Sequence, residues 1–229
     1  MDLKILYEDD TLLAVDKPAG IVVFPEGQTI RNTLIDHLIE QYPDLKNAGE
    51  APRYGVVHRL DKDTPGVLLV AKSNEALIFF QKQFKNREVG KKYIALATGV
   101  LADDAGTIKT FMGRSPADPR KQKSYFDNKP GLREAITEYN VLKRFENYTL
   151  LEVVIKTGRK HQIRCHLAYI HHPIAGDAMY GFKDSPTPEG LERQFLHASY
   201  LKIQLLNGDI KEFHSELPEE LEKVLTKIK

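Results

Sequence analysis

The chain has 229 residues, 41% hydrophobic and 28% charged, enough for one large or two small globular domains with an ample core. One cysteine, Cys165, excludes an internal disulfide framework, and no apolar stretch approaches the roughly 20 residues that span a bilayer. A cytoplasmic protein is expected, since the amino terminus also lacks the basic and apolar regions of a signal peptide. A formal net charge of +1 is not the footprint of a strongly basic nucleic-acid binder, so an RNA partner has to rest on local clusters of basic residues.

Residues 5–7 and 12–15 read as two short strands joined by an acidic turn at Asp9 and Asp10. Residues 16–20 (DKPAG) break the pattern, and residues 21–25 resume an extended run; a Pro-Gly turn between strands is the expected role, with no chemistry assigned. Asn32 or Thr33 caps a helix in which Leu34, Ile35, Leu38 and Ile39 form one apolar face, ended by Tyr42 and Pro43.

Val56 and Val57 lead into His58-Arg59-Leu60-Asp61-Lys62-Asp63, five ionisable side chains in six positions. Pro65 and Gly66 suit the centre of a type II turn, and the apolar run 67–71 reads as a buried strand. Ionisable groups on a loop pinned by buried strands are well placed to react, although most charged loops are simply solvated. Asp61-Lys62-Asp63 resembles the D-x-D of aspartate-nucleophile phosphatases, but there the carboxylates directly follow an apolar strand. The D-T-G triplet of aspartic proteases is interrupted here by Pro65.

Ser73 or Asn74 caps a second helix, with Leu77, Phe80 and Phe84 as its core face and Gly90 marking its end. Residues 91–97 read as a strand closed by Gly99, and residues 106–111 as another. Residues 113–123 are rich in Pro, Arg and Lys; Arg114, Arg120, Lys121 and Lys123 either grip phosphates or keep a loop in water. Residues 135–141 and 148–155 have strand character. The second of these runs into TGRKHQIRCHL (157–167), where Gly158 permits a strand-to-helix turn with Thr157 as cap and Ile163, Leu167 and Ile170 on one face. His161, Cys165, His166, His171 and His172 invite a metal reading, but no ligand spacing repeats and no H-E-x-x-H or paired C-x-x-C occurs. Leu201, Ile203 and Leu205 alternate, Asn207-Gly208 marks a hairpin, and Pro218 begins a last helix whose core face is Leu221, Val224, Leu225 and Ile228.

HRLD followed by D-T-x-G and an apolar run resembles the catalytic motif of the RluA family of RNA pseudouridine synthases. DKPAGIVVFP, KKYIALATG and TGRKHQIRCHL resemble three further motifs of that family, in its order. HPIAGDAMYG (172–181) and Leu196-His197-Ala198 continue the likeness, which spans roughly residues 5 to 225. Two departures stand out: Pro65 where the family usually has Ser, and Cys165 where it usually has an aliphatic residue.

The resemblance implies an α+β pseudouridine synthase fold over residues 1–229: a long mixed, mostly antiparallel sheet flanked by helices, with a central cleft. It implies one catalytic domain, expected as a monomer, without a separate small RNA-binding domain before it. The implied reaction converts uridine in ribosomal or transfer RNA to pseudouridine, with neither metal nor organic cofactor. By the same resemblance Asp61 is the catalytic carboxylate, Tyr93 stacks on the base and takes the proton from ribose carbon 2′, and Arg164 pairs with Asp61. His58 and Arg59 shape the loop or help displace the target base. Arg159, Gln162, Arg114, Arg120 and Lys121 are the remaining expected RNA contacts. A non-catalytic RNA-binding protein is the alternative from another class, and a metal-dependent hydrolase the third, which lacks a ligand set.

Overall fold

A computed structural model describes residues 3–26 and 31–229. The chain divides into two compact units, Met1–Lys91 with Ala198–Glu216, and Lys92–His197 with Leu217–Lys229.

The first unit contains β1 (Lys4–Glu8), β2 (Leu12–Lys17), α1 (Leu34–Gln41), β3 (Gly66–Ala71) and α2 (Asn74–Asn86). It also holds the greater part of β9 (Leu196–Gln204), and all of β10 (Ile210–His214). The second contains most of β4 (Gly90–Thr98), then β5 (Ala105–Arg114), β6 (Gln122–Tyr125), β7 (Arg133–Arg144), β8 (Tyr148–Ile155), α3 (Gln162–Tyr169) and α4 (Glu219–Lys227). Within each unit the pairings are antiparallel except β3 with β9, which meet in parallel at Gly66 and Ala198, so the α+β, mostly antiparallel expectation holds.

In the first unit β2 stays in register with β3 from Leu12 opposite Ala71 to Lys17 opposite Gly66. Every residue of β3 is buried, which is why residues 67–71 show no polar alternation. Leu12, Ala14, Val67 and Leu69 pack with Ala76 and Phe80 of α2 and with Leu201, Ile203 and Phe213 of β9 and β10. Ser73 caps α2 by accepting from the Ala76 amide, and Thr33 and Asp36 form a reciprocal capping box on α1. In the second unit β8, β7, β5 and β6 follow β4 in antiparallel order, and Met112, Ala135 and Cys165 form a small core with Tyr180.

Four local expectations are corrected. Residues 21–25 form no strand; the carbonyls of Val22 and Val23 instead accept from the Leu34 and Ile35 amides (2.9 and 3.0 Å), satisfying donors that the first turn of α1 leaves open. The turn after the charged loop is closed by the Thr64 amide donating to the Asp61 carbonyl, and Gly66 already belongs to β3. Helix α2 stops at Arg87, in the left-handed region at φ 65°, three residues before Gly90. Helix α3 starts at Gln162 with His161 at its cap position, so Thr157 is not its cap.

Candidate active site

In the first unit the loop carrying Asp61 is fixed from beneath by Lys17, the last residue of β2. Lys17 is fully buried, and its ammonium donates to the carbonyls of Pro18 (2.8 Å), Ile21 (2.9 Å) and Lys62 (2.9 Å). The Lys62 carbonyl also accepts from the Gly20 amide at 3.0 Å. The DKPAG stretch therefore does more than turn the chain: a buried charge, allowed because carbonyls surround it, ties that stretch to the residue beside Asp61. Neither periodicity nor turn signals reveal this; a lysine at the end of an apolar strand was the available hint.

On the other side of the loop, Pro65 and Gly66 dock on β9, with the Ala198 amide donating to the Pro65 carbonyl at 2.8 Å. Gly66 has φ 123°, and a Cβ there would lie 2.1 Å from the Ala198 carbonyl oxygen. Only glycine permits this approach.

His58 is held as a neutral ring. Its ring stacks on Phe84 at 4.7 Å, and its Nε2 accepts from the Leu69 amide at 3.1 Å, so the neutral ring carries its proton on Nδ1. Burial, helped by the positive charge of Lys91, pushes its pKa down to about 3. Arg59 reaches away from that stack, donating to the Glu26 carboxylate with its guanidinium 5.2 Å from the Phe24 ring centre.

In the second unit Arg164 is seated in the first turn of α3 and is 7% exposed. Its Nε and Nη2 donate to the two oxygens of Asp177, at 2.7 and 2.9 Å, a fork-to-fork pair. The Asp177 carboxylate is completely buried and also accepts from the Met179 and Tyr180 amides, each at 2.9 Å. Burial alone would raise its pKa; the hydrogen bonds and charge of Arg164, with those two amides, hold it below the ordinary carboxylate range. The Tyr180 ring lies 5.2 Å from the guanidinium, and its hydroxyl meets the Gln122 amide (2.7 Å) and His161 Nδ1 (3.0 Å). Burial raises the Tyr180 pKa, so the phenol stays protonated. Asp177 and Tyr180 lie in HPIAGDAMYG and were assigned no role from sequence.

Tyr93 is 9% exposed on β4, opposite Val153 of β8. Gln162 is buried and fully occupied: its carbonyl accepts from Thr157 Oγ1 (2.7 Å) and the Arg159 amide (3.0 Å), and its amide donates to the Ile136 carbonyl and Thr137 Oγ1 (both 3.0 Å). Arg159 donates through Nε to the Glu134 carbonyl at 2.9 Å. The basic segment is a β5–β6 hairpin, with Arg114 opposite Gln122 and the loop closed by Ser115 to Lys121 at 3.0 Å. Arg120 is bonded twice to Asp118, at 3.0 and 2.8 Å, and Lys121 stands 5.9 Å from the Tyr180 ring centre.

The residues of the metal reading are engaged otherwise. Cys165 contacts Ser124 Oγ at 3.3 Å, and His166 lies between Thr110 (2.9 Å) and Thr137 (2.8 Å). Among the described residues no three His, Cys, Asp or Glu side chains form a group that would hold a metal.

Residues 11–169 match the family model described as RNA pseudouridylate synthase. The chain is 38% identical over 230 residues to an RNA pseudouridine synthase of Bacillus subtilis, covering 100% of this chain and 74% of the relative. It is 42% identical over 234 residues to ribosomal large subunit pseudouridine synthase D of Nitrosomonas europaea, covering 99% of this chain and 65% of that protein. An RNA pseudouridine synthase of Aquifex aeolicus is 45% identical over 191 residues, 82% of this chain and 59% of its own length. Among solved structures, human RNA pseudouridylate synthase domain containing 4 superposes with a TM-score of 0.77 at 27% identity, over 98% of this chain and 92% of that one. Its human counterpart domain containing 1 gives 0.76 at 26% identity, over 94% and 83%. With its motifs in order and this coverage, the chain belongs to the RluA-type family of RNA pseudouridine synthases.

Proposed function

We propose that this protein isomerises a uridine of large-subunit ribosomal RNA to pseudouridine. The observation that carries the reading is the Asp61 loop, a carboxylate on a turn tied to buried Lys17 and to β9, in a chain of this family. The ribosomal assignment follows relatives named ribosomal large subunit pseudouridine synthase D.

The reaction breaks the bond between N1 of the base and C1′ of ribose, turns the base, and joins C5 to C1′. The proton lost from C5 is balanced by one gained at N1, so no redox partner is required. Asp61 attacks or steadies the positive charge that develops on ribose. Tyr93 faces the base, takes the proton from ribose C2′ as the N1–C1′ bond breaks and returns it to C2′ as C5 joins C1′, and Arg164 orients the reacting carboxylate. Gln162 and Arg159 serve by holding the start of α3, and His58 by shaping the loop. A paired uridine has to leave its stack first, at a cost of a few kcal/mol. The test is a map of pseudouridines in ribosomal and transfer RNA from cells with and without the gene. A missing modification in large-subunit RNA is expected; a loss confined to transfer RNA would overturn the ribosomal assignment.

A further inference from the structure

Lys91 opens the K-x-Y stretch at the start of β4, two residues before Tyr93. Its side chain is 8% exposed, close to the burial of Lys17, yet the two ammonium groups are treated oppositely. Lys17 has three carbonyl partners. Lys91 makes no hydrogen bond and no ion pair among the described residues; its Nζ stands 5.2 Å from the Phe84 ring centre and close enough to His58 to act on its charge.

A buried cation ordinarily has a counter-charge, because desolvation without one costs several kcal/mol. The neighbouring His58 is itself basic and kept neutral, and a ring face is a partial substitute at best. Burial pushes the Lys91 amine down to about 8, the mark of a charge that the protein alone leaves uncompensated. Such an ammonium, on a side chain that keeps 8% of its surface exposed beside the loop that carries Asp61, is suited to pair with an anion. The substrate supplies one at every nucleotide.

We infer that Lys91 is a phosphate-binding residue, gripping a backbone phosphodiester of the RNA strand at or next to the target uridine. This rests on the reading of the protein as acting on RNA. A binding role separates from a structural one by sign. Lys91→Met keeps the apolar stem over Phe84 and removes a desolvated charge, so its melting temperature should equal or exceed that of the wild type. RNA affinity should nevertheless fall about 5- to 10-fold near physiological salt, and the slope of log affinity against log salt should flatten by about one.

The wild-type protein gives an independent readout through acylation of its amines at pH 7.5 by an N-hydroxysuccinimide ester, followed by peptide mass spectrometry. A uridine oligonucleotide should protect Lys91 several-fold, whereas inorganic phosphate at equal concentration should not. Unprotected Lys91, or a Lys91→Met protein less stable than wild type but unchanged in affinity and salt slope, overturns the inference. Equal protection by inorganic phosphate also overturns it, because the ammonium would then take a free anion. Pseudouridine formation by the wild type is assayed in parallel. Its absence would count against the proposed function, while the protection result still judges Lys91.

Discussion

At the scale of single residues, Arg164 shows how far a sequence can be read. TGRKHQIRCHL singles it out by resemblance, but the carboxylate that fixes its plane lies 13 residues on, in a loop whose geometry no periodicity encodes. Because Asp177 holds Nε and Nη2 together, lysine cannot replace Arg164 without losing that alignment. Arg164→Lys should lower the single-turnover rate on saturating RNA by about 100-fold, the loss typical of a reacting group displaced by about 1 Å, with affinity changed much less. Arg159→Lys, whose side chain serves a backbone carbonyl, should cost clearly less. Asp177→Asn should also slow turnover, and the double variant with Arg164→Lys should be no slower than the slower single one, because both act through the same guanidinium. Additive losses in log rate would show that Asp177 supports the fold independently of Arg164.

At the scale of elements, the legible parts were those with a strong repeat. The apolar run of β3, the Ser73 cap of α2 and the Asn207-Gly208 hairpin all lie where pattern placed them. The misread parts are those decided by distant partners. Residues 21–25 have strand composition but lend their carbonyls to α1, and Pro65-Gly66 has turn composition but docks on β9. Gly66→Ala should therefore be severe, since its Cβ would meet the Ala198 carbonyl at 2.1 Å. A loss of more than about 3 kcal/mol in urea unfolding is expected, and a loss under about 1 kcal/mol would contradict the docked geometry. The β5–β6 hairpin invites a different test. Replacing Arg114, Arg120, Lys121 and Lys123 together by Ala should flatten the salt dependence of RNA affinity. Arg120, already satisfied by Asp118, should contribute least when replaced singly. An unchanged slope for the fourfold variant would leave the hairpin as a solvated surface.

For the molecule as a whole, stability should depend on pH through histidines folded in the neutral state. His166 has no exposure and burial lowers its pKa to about 4, while His58 is pushed to about 3 by burial and by Lys91. Both folded values lie below that of an unfolded histidine, near 6.5, so the unfolded chain binds more protons between about pH 3 and 6.5. Stability is accordingly greatest above pH 6.5 and falls as the medium is acidified, by roughly 3 kcal/mol for His166 once pH passes below 4. Urea midpoints at pH 7 and pH 5 should show the decline, and His166→Gln, which can still bridge Thr110 and Thr137, should reduce it. An undiminished decline in that variant would mean other groups carry it.

The central claim is that Asp61 performs the isomerisation, and its direct measurement uses purified protein and large-subunit ribosomal RNA from cells lacking the gene. Wild-type protein should introduce pseudouridine into that RNA, in excess chelator as well as without it. Asp61→Asn should introduce none while binding the RNA within a few fold of wild type, and Asp63→Asn should retain appreciable activity. Turnover by Asp61→Asn comparable to wild type would contradict the account.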